Sequence, residues 1–190
     1  MRFVIGLIVG LLILPVALLI YVKTGAAPVA ALDKPMPLEK FLATMGRSAR
    51  IKAEAPKQAP AYTPADLEAG ADVFKQNCSF CHGLPDEAPP PAAKGMFPDP
   101  PQLFTPMDAV TDDPEGVTYW KVRNGIRLSG MPGFKATLSD QQMWDVAALL
   151  AHSDNLPQSV LDRLKPTPTT EAMPGAAPTD EKGVGKKKKN

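Results

Sequence analysis

Two cysteines and a histidine in one short stretch form the pattern in this chain that is best suited to chemistry. Cys78 and Cys81 are three positions apart, His82 follows directly, and the chain contains two cysteines in total. Two thiols at this spacing can each add to one vinyl group of a haem, and the adjacent imidazole then lies beneath the iron as its proximal ligand. The pattern therefore predicts one covalently attached haem c, whose iron is bound by His82.

Three other kinds of site use a cysteine pair at this spacing: a redox-active dithiol, a structural disulfide and half of a zinc site. Each of them leaves His82 without a role, and the chain has no second cysteine pair to complete a zinc site. Haem attachment is favoured because it gives all three residues a function.

Residues 1–23 predict a transmembrane anchor. After Arg2 the chain runs from Phe3 to Val22 without a charged side chain, and a helix of that length is about 30 Å long, enough to span a bilayer. A cleaved signal peptide is the alternative, with a cleavage site near Ala30 and Ala31, but its apolar region is usually about 7 to 15 residues long. We favour a retained single-pass anchor.

Residues 24–62 are rich in alanine and proline, which predicts a linker that buries too little apolar surface to fold alone. Within it, four apolar residues recur at helical spacing: Leu38, Phe41, Leu42 and Met45. They predict a short amphipathic helix that ends at Gly46. This helix could lie on the membrane, it could pack against a partner subunit, or it could form only transiently and have no docking site. We favour the transient helix.

Residues 63–157 contain the start and stop signals of three helices. The first begins with Thr63 as N-cap and Pro64 at its first position, and leads directly to Cys78. The second is predicted from Glu115 to about Asn124 with Asp113 as N-cap, and the third from about Asp140 to His152 behind a capping box of Ser139 and Gln142.

The segment from His82 to Pro106 holds eight prolines, which predicts a loop without regular secondary structure along one edge of the haem. Residues 158–190 form the last unit. Val160, Leu161 and Leu164 predict a short helical extension. The chain beyond Pro166, which has four consecutive lysines directly before Asn190, predicts a disordered basic tail.

Residues 63–157 resemble the class I c-type cytochromes. Gly70 and Phe74 stand eight and four residues before Cys78, where this family packs its first and last helices together, and residues 119–134 are similar to its methionine-ligand loop. The closing helix with Trp144 also matches, although many members have an aromatic residue where this chain has Leu149. The resemblance implies an all-α fold of three main helices around one covalent haem with His and Met axial ligands, here preceded by one transmembrane helix.

Five residues of this segment could take the sixth position on the iron: Met96, Met107, Met131, Met143 and His152. Met143 and His152 fall in the closing helix, and Met96 and Met107 flank proline clusters. Met131 is favoured because Gly130 and Pro132 let the backbone approach the macrocycle and hold the sulfur in place.

By resemblance, the carbonyl of Pro101 accepts the second N–H of His82, with Pro98 and Pro100 as alternatives. Apolar side chains are expected to line the haem: Phe74, Leu103, Tyr119, Trp120 and Phe134.

The whole chain carries 21 basic and 20 acidic residues, but residues 63–157 hold six basic and thirteen acidic ones, a net charge of −7 between basic flanks. Such a segment is a poor partner for nucleic acid. The sequence predicts an electron carrier without enzymatic activity or small-molecule substrate. We expect the haem domain to lie in the bacterial periplasm, tethered to the inner membrane, with membrane redox complexes as donor and acceptor. The alternatives are a permanent subunit of a membrane oxidase or dehydrogenase, and a haem enzyme or gas sensor with an open sixth position.

Overall fold

The computed structural model describes residues 2–166, which form eight helices and no strand. The helices are α1 (Arg2–Lys23), α2 (Glu39–Glu54), α3 (Pro64–Asn77), α4 (Ser79–His82), α5 (Pro91–Lys94), α6 (Glu115–Asn124), α7 (Asp140–Ala151) and α8 (Gln158–Leu164). The all-α prediction is confirmed. The predicted lysine tail lies outside the described residues.

Within the described residues, α1 is the one helix that is long and apolar enough to cross a membrane. None of its side chains is buried against the rest of the chain. Its exposed apolar surface is therefore consistent with the predicted anchor.

Thr63 and Ser139 are the predicted N-caps of the two long helices of the haem segment, and at α3 Asp66 completes a capping box that the sequence analysis did not include. The Thr63 N–H donates to the Asp66 carboxylate at 2.7 Å, and the Asp66 N–H donates back to the Thr63 hydroxyl. At α7 the Ser139 N–H donates to the Gln142 side chain at 2.9 Å and the Gln142 N–H to the Ser139 hydroxyl at 3.2 Å. Each box satisfies amide groups that have no partner inside the helix.

The core forms where α3 crosses α7. A Cβ atom at Gly70 would overlap the backbone carbonyl of Asp145, so only glycine permits this approach of the two helices. Phe74, one turn later, is fully buried and meets the ring of Phe104 edge-on at 5.1 Å between centroids. The crossing thereby fixes the end of α3, which carries the cysteine motif.

Helix α8 confirms the predicted short extension and packs on α3. Val160 and Leu164 are buried. Arg163 bridges two acidic residues of α3, with nitrogen to oxygen distances of 3.0 Å to Glu68 and 2.6 Å to Asp72.

Asp113 is not the N-cap of α6, and that prediction is wrong. Pro114 takes the cap position in an extended conformation (φ −57°, ψ 135°) without a side-chain hydrogen bond. The helix starts at Glu115, so Asp113 lies one residue too early and instead accepts a hydrogen bond from the Lys121 ammonium at 3.0 Å.

The proline-rich segment is mostly irregular but includes one helical turn, α5, which the sequence analysis excluded. Pro91 occupies the first position of this turn. Proline is tolerated there because the missing N–H would have no partner inside the helix.

Helix α2 is longer than predicted because it continues through Gly46 to Glu54. A glycine inside a helix costs only about 1 kcal/mol, whereas Pro56 disfavours helical backbone at the residue before it, so the helix ends at Glu54. Its second half docks on α6, where Ile51 is buried. The predicted helix end at Gly46 is therefore wrong, and residues 47–54 supply a docked half that the prediction did not include.

Candidate functional site

The cysteine motif forms a single helical turn at the end of α3. The Cys78 N–H still donates to the Phe74 carbonyl at 2.8 Å, and the His82 N–H donates to the Cys78 carbonyl at 2.9 Å. Gly83 follows with φ +70°, a left-handed conformation that favours glycine and turns the chain away. The two thiols and the imidazole are thus presented together by one short element.

The raised pKa of the Cys78 thiol argues against a redox-active dithiol. Burial, and to a lesser extent the neighbouring Cys81, raises the pKa of the Cys78 thiol to about 12. Reactive dithiols have the opposite shift, because the thiolate is the nucleophile. Residues 2–166 also contain no cluster of three or more His, Cys, Asp or Glu side chains that could hold a metal ion, which argues against a zinc site.

His82 is oriented by the backbone of the proline-rich segment. Its Nδ1 lies 2.8 Å from the Pro101 carbonyl oxygen, which can only accept a hydrogen bond, so Nδ1 carries the proton. Burial lowers the pKa of His82, and the bond to Pro101 partly opposes this shift. The neutral imidazole is therefore favoured, with its Nε2 lone pair available to a metal.

Of the three prolines considered for this contact, the structure places Pro101 beside His82. The Pro100 carbonyl instead accepts a hydrogen bond from the Gln102 side chain at 3.0 Å. The same Gln102 amide donates to the Cys81 carbonyl at 3.3 Å, so it links the cysteine turn to the proline segment. The sequence analysis missed Gln102, because a glutamine among prolines belongs to no recognisable motif.

The loop that carries Met131 closes onto the end of α6. Gly125 ends the helix with φ +68°, and the Ile126 N–H donates to the Met131 carbonyl at 3.1 Å. After the loop, the Phe134 N–H donates a hydrogen bond to the Val122 carbonyl of α6 at 3.0 Å. Met131 is partly buried against the same apolar core as Cys78. The methionine is therefore held by a closed loop, not by a freely moving one.

The other candidates for the sixth position have different surroundings. Met107 is 93% exposed, and Met143 is buried in the core between helices. His152 uses both ring nitrogens, Nδ1 at 2.8 Å from the Ala148 carbonyl and Nε2 at 2.7 Å from the Tyr62 hydroxyl. Met96 lies beside the Met131 loop, since a Cβ at Gly130 would overlap its terminal methyl group.

Most of the apolar side chains that were expected to line the haem lie in the core or pack against it. Phe74, Leu103 and Tyr119 are buried there, and Phe134 packs against them. Trp120 differs from the expectation, because its indole N–H donates to Glu54 of α2 at 3.1 Å. Successive residues of a helix point about 100° apart, so α6 directs Tyr119 into the core and Trp120 towards α2.

The donor set fits a c-type haem. Two neighbouring free thiols are available for thioether formation, the imidazole has a fixed tautomer with a free Nε2, and a thioether is held in a closed loop. These are the groups through which proteins attach a haem covalently and ligate its iron as in cytochromes c.

Comparisons with known proteins show the family of this chain. Residues 65–150 match the family model described as "Cytochrome C oxidase, cbb3-type, subunit III". Cytochrome c6 from Limnospira maxima is 35% identical over 83 residues, which cover 44% of this chain and 88% of that relative. Residues 65–150, which match the family model, contain the cysteine turn, the Pro101 contact and the Met131 loop. This chain belongs to the class I c-type cytochromes, electron carriers with a covalently bound haem c.

Proposed function

We propose that this cytochrome is a periplasmic electron carrier with His82 and Met131 as axial ligands, tethered to the bacterial inner membrane by residues 1–23. The observation that carries the proposal is the hydrogen bond from His82 Nδ1 to Pro101, which leaves Nε2 for iron on the turn that holds both cysteines. Residues 63–157 would form the haem domain and residues 24–62 the connection to the anchor.

A bound haem c supplies a one-electron iron couple. The protein's part would be to hold His82 and Met131, the two residues that would bind the iron, in fixed positions, so that a change in the iron's oxidation state would need little reorganisation. Pro101 holds the imidazole, and the hydrogen bonds of the Met131 loop hold the thioether. Buried apolar groups such as Phe74 and Leu103 exclude water, which favours the less charged ferrous state and raises the potential. No bond of a substrate changes, so the proposed role is not enzymatic.

The membrane tether gives the first testable expectation. After a high-salt wash the protein should remain with membranes, because burial of the apolar α1 does not depend on ionic strength. The intact mass of the mature chain should correspond to a start near Met1. A mass that corresponds to a start at Leu32 or Asp33 would establish cleavage and a soluble carrier.

The charge of the haem domain gives the second testable expectation. With a net charge of −7, residues 63–157 should be steered towards a basic surface of the redox partner. Oxidation of the reduced protein by native membranes should slow by roughly tenfold as ionic strength rises from about 0.01 to 0.15 M, since the Debye length falls from about 30 to 8 Å. A rate independent of salt would contradict electrostatic docking.

Truncation after Pro166 tests how the lysines near the C-terminus affect this reaction, because it removes Lys186 to Lys189 and leaves residues 63–157 intact. If those lysines screen the acidic domain, the truncated protein should react faster and with a steeper salt dependence. If they bind anionic lipid, it should react more slowly in membranes and at an unchanged rate in detergent.

A second candidate function is a permanent subunit of a membrane oxidase or dehydrogenase complex. It is favoured by the oxidase-subunit description of the matching family model. Purification from native membranes in mild detergent distinguishes the two roles. A permanent subunit should elute with its complex in a fixed ratio, whereas a free carrier should elute alone because carrier complexes are small and short-lived.

A further inference from the structure

Helix α2 has two different faces. Three apolar side chains of its first half, Phe41, Leu42 and Met45, are between 53% and 62% exposed, and Leu38, the residue directly before the helix, is 68% exposed. At about 100° per residue the three helical side chains fall within an arc of roughly 100°, and together with Leu38 we call them the apolar stripe. Ile51 and Glu54 lie on the roughly opposite side of the same helix. One face of α2 is therefore directed to the haem domain and the other is free of protein contacts that would bury it.

The face opposite the stripe is attached firmly to α6. Ile51 is 7% exposed, and Glu54 accepts the indole N–H of Trp120. Just beyond the helix, the Pro56 backbone packs so closely on Gly116 that a Cβ there would overlap its carbonyl oxygen. An apolar contact, a hydrogen bond and a backbone contact thus connect α2 to the domain, so the position of α2 constrains the position of the haem domain.

The chain keeps the stripe near the bilayer. Residues 24–38 connect α1 to α2, and 15 residues reach at most about 50 Å even when fully extended. Helices that lie in a membrane interface combine an apolar face with basic side chains. In α2 the basic residues are Lys40, Arg47, Arg50 and Lys52, against the two acidic residues Glu39 and Glu54.

The two segments of the chain carry opposite charge, and this decides which of them an anionic lipid surface attracts. Residues 24–62 contain six basic and three acidic residues, whereas residues 63–157 carry −7. Anionic lipid headgroups attract the first segment and repel the second. A bilayer with anionic lipid therefore matches both the apolar stripe and the sign of the charge around it.

We propose that the apolar stripe of α2 lies in the interface of an anionic bilayer, so that α2 holds the haem domain at a fixed orientation to the membrane. The inference rests on the proposed anchor. In addition to that anchor, α2 makes a second, peripheral membrane contact, so the haem domain does not move freely on a flexible linker. The exposed edge of the haem domain would then meet its partners from a restricted set of directions.

Spin labels on the full-length holoprotein test the contact. Both native cysteines are consumed by thioether bonds in the holoprotein, so a single introduced cysteine is the only free thiol. The variants are Leu42→Cys on the stripe, Arg47→Cys on the opposite side and Gly10→Cys in α1, all at exposed positions. They are measured in nanodiscs containing phosphatidylglycerol, with oxygen as the apolar relaxation reagent and a nickel chelate as the aqueous one.

The label at position 42 should collide with oxygen and be shielded from nickel, and the label at 47 should show the reverse. Equal exposure of both labels to nickel, with the label at 10 in lipid, would overturn the inference and leave the anchor intact. A label at 42 shielded from both reagents would also overturn it, by indicating a protein partner. A label at 10 exposed to nickel would refute the anchor, and the inference with it.

A matched pair of charge variants tests the orientation. Leu42→Glu places a carboxylate on the stripe, and Ala43→Glu places the same charge one position away on the exposed opposite side. In oriented bilayers the wild type and Ala43→Glu should show linear dichroism of the haem absorption, and Leu42→Glu should lose it. Dichroism that survives in Leu42→Glu would show that the stripe does not hold the domain.

Discussion

Replacing Met131 by alanine is expected to leave the haem attached and to lower the reduction potential by on the order of 0.2 V, within the roughly 0.8 V range that axial ligands span. Attachment depends on Cys78 and Cys81, which the substitution does not touch. Loss of the thioether should remove the proposed ligand, which would stabilise ferrous iron, and open the sixth position to water. Potentiometric titration and the oxidised spectrum measure both effects, the second as high-spin bands.

Two further methionines serve as controls for this substitution. Met107 is 93% exposed, so Met107→Ala should change neither potential nor spectrum. Met96→Ala is the sharper control, because the Met96 methyl group lies against Gly130, next to the proposed ligand. It should alter the packing of the loop and leave the low-spin spectrum in place. If Met96→Ala gives the high-spin spectrum and Met131→Ala does not, the ligand assignment is wrong.

Features that depend on neighbouring residues could be predicted from the sequence. The capping boxes at Thr63 and Ser139 are formed within four residues, so their side chains suffice to set where α3 and α7 begin. The cysteine turn is also local, because covalent attachment requires its spacing. The prediction of Asp113 as N-cap failed within the same range, since the extended backbone of Pro114 moves the helix start by one residue.

Features that depend on distant parts of the chain could not be predicted in this way. Gln102 links the cysteine turn to the proline segment only because the fold brings Cys81 and Pro100 together. The second half of α2 looked like part of a linker because its one buried apolar residue, Ile51, has no periodic partner in sequence. Its docking site is supplied by α6, and the pattern within residues 24–62 contains no information about that surface.

Gly70→Ala is expected to destabilise the holoprotein by about 2 kcal/mol, although alanine is the better helix former by about 1 kcal/mol. The added Cβ would overlap the carbonyl carbon and oxygen of Asp145 in α7. Both are backbone atoms, so α3 and α7 must move apart, and the packing around the fully buried Phe74 and Leu149 is loosened. The free energy of unfolding of a typical domain is about 5 to 15 kcal/mol. A loss of this size should therefore clearly lower the denaturation midpoint, followed by circular dichroism.

The matched control for this prediction is Gly95→Ala in the same domain. Gly95 has an ordinary φ of −102°, and the nearest atom to an added Cβ is 3.9 Å away, so the same methyl group meets no obstacle. Its midpoint should stay close to that of the wild type. A second substitution at the crossing, Gly70→Val, should cost more than Gly70→Ala, because a branched side chain enlarges the overlap and lowers helix propensity. Equal midpoints for Gly70→Ala and Gly95→Ala would show that α3 and α7 can separate without loss, and that the close approach at Gly70 does not limit the stability of this cytochrome.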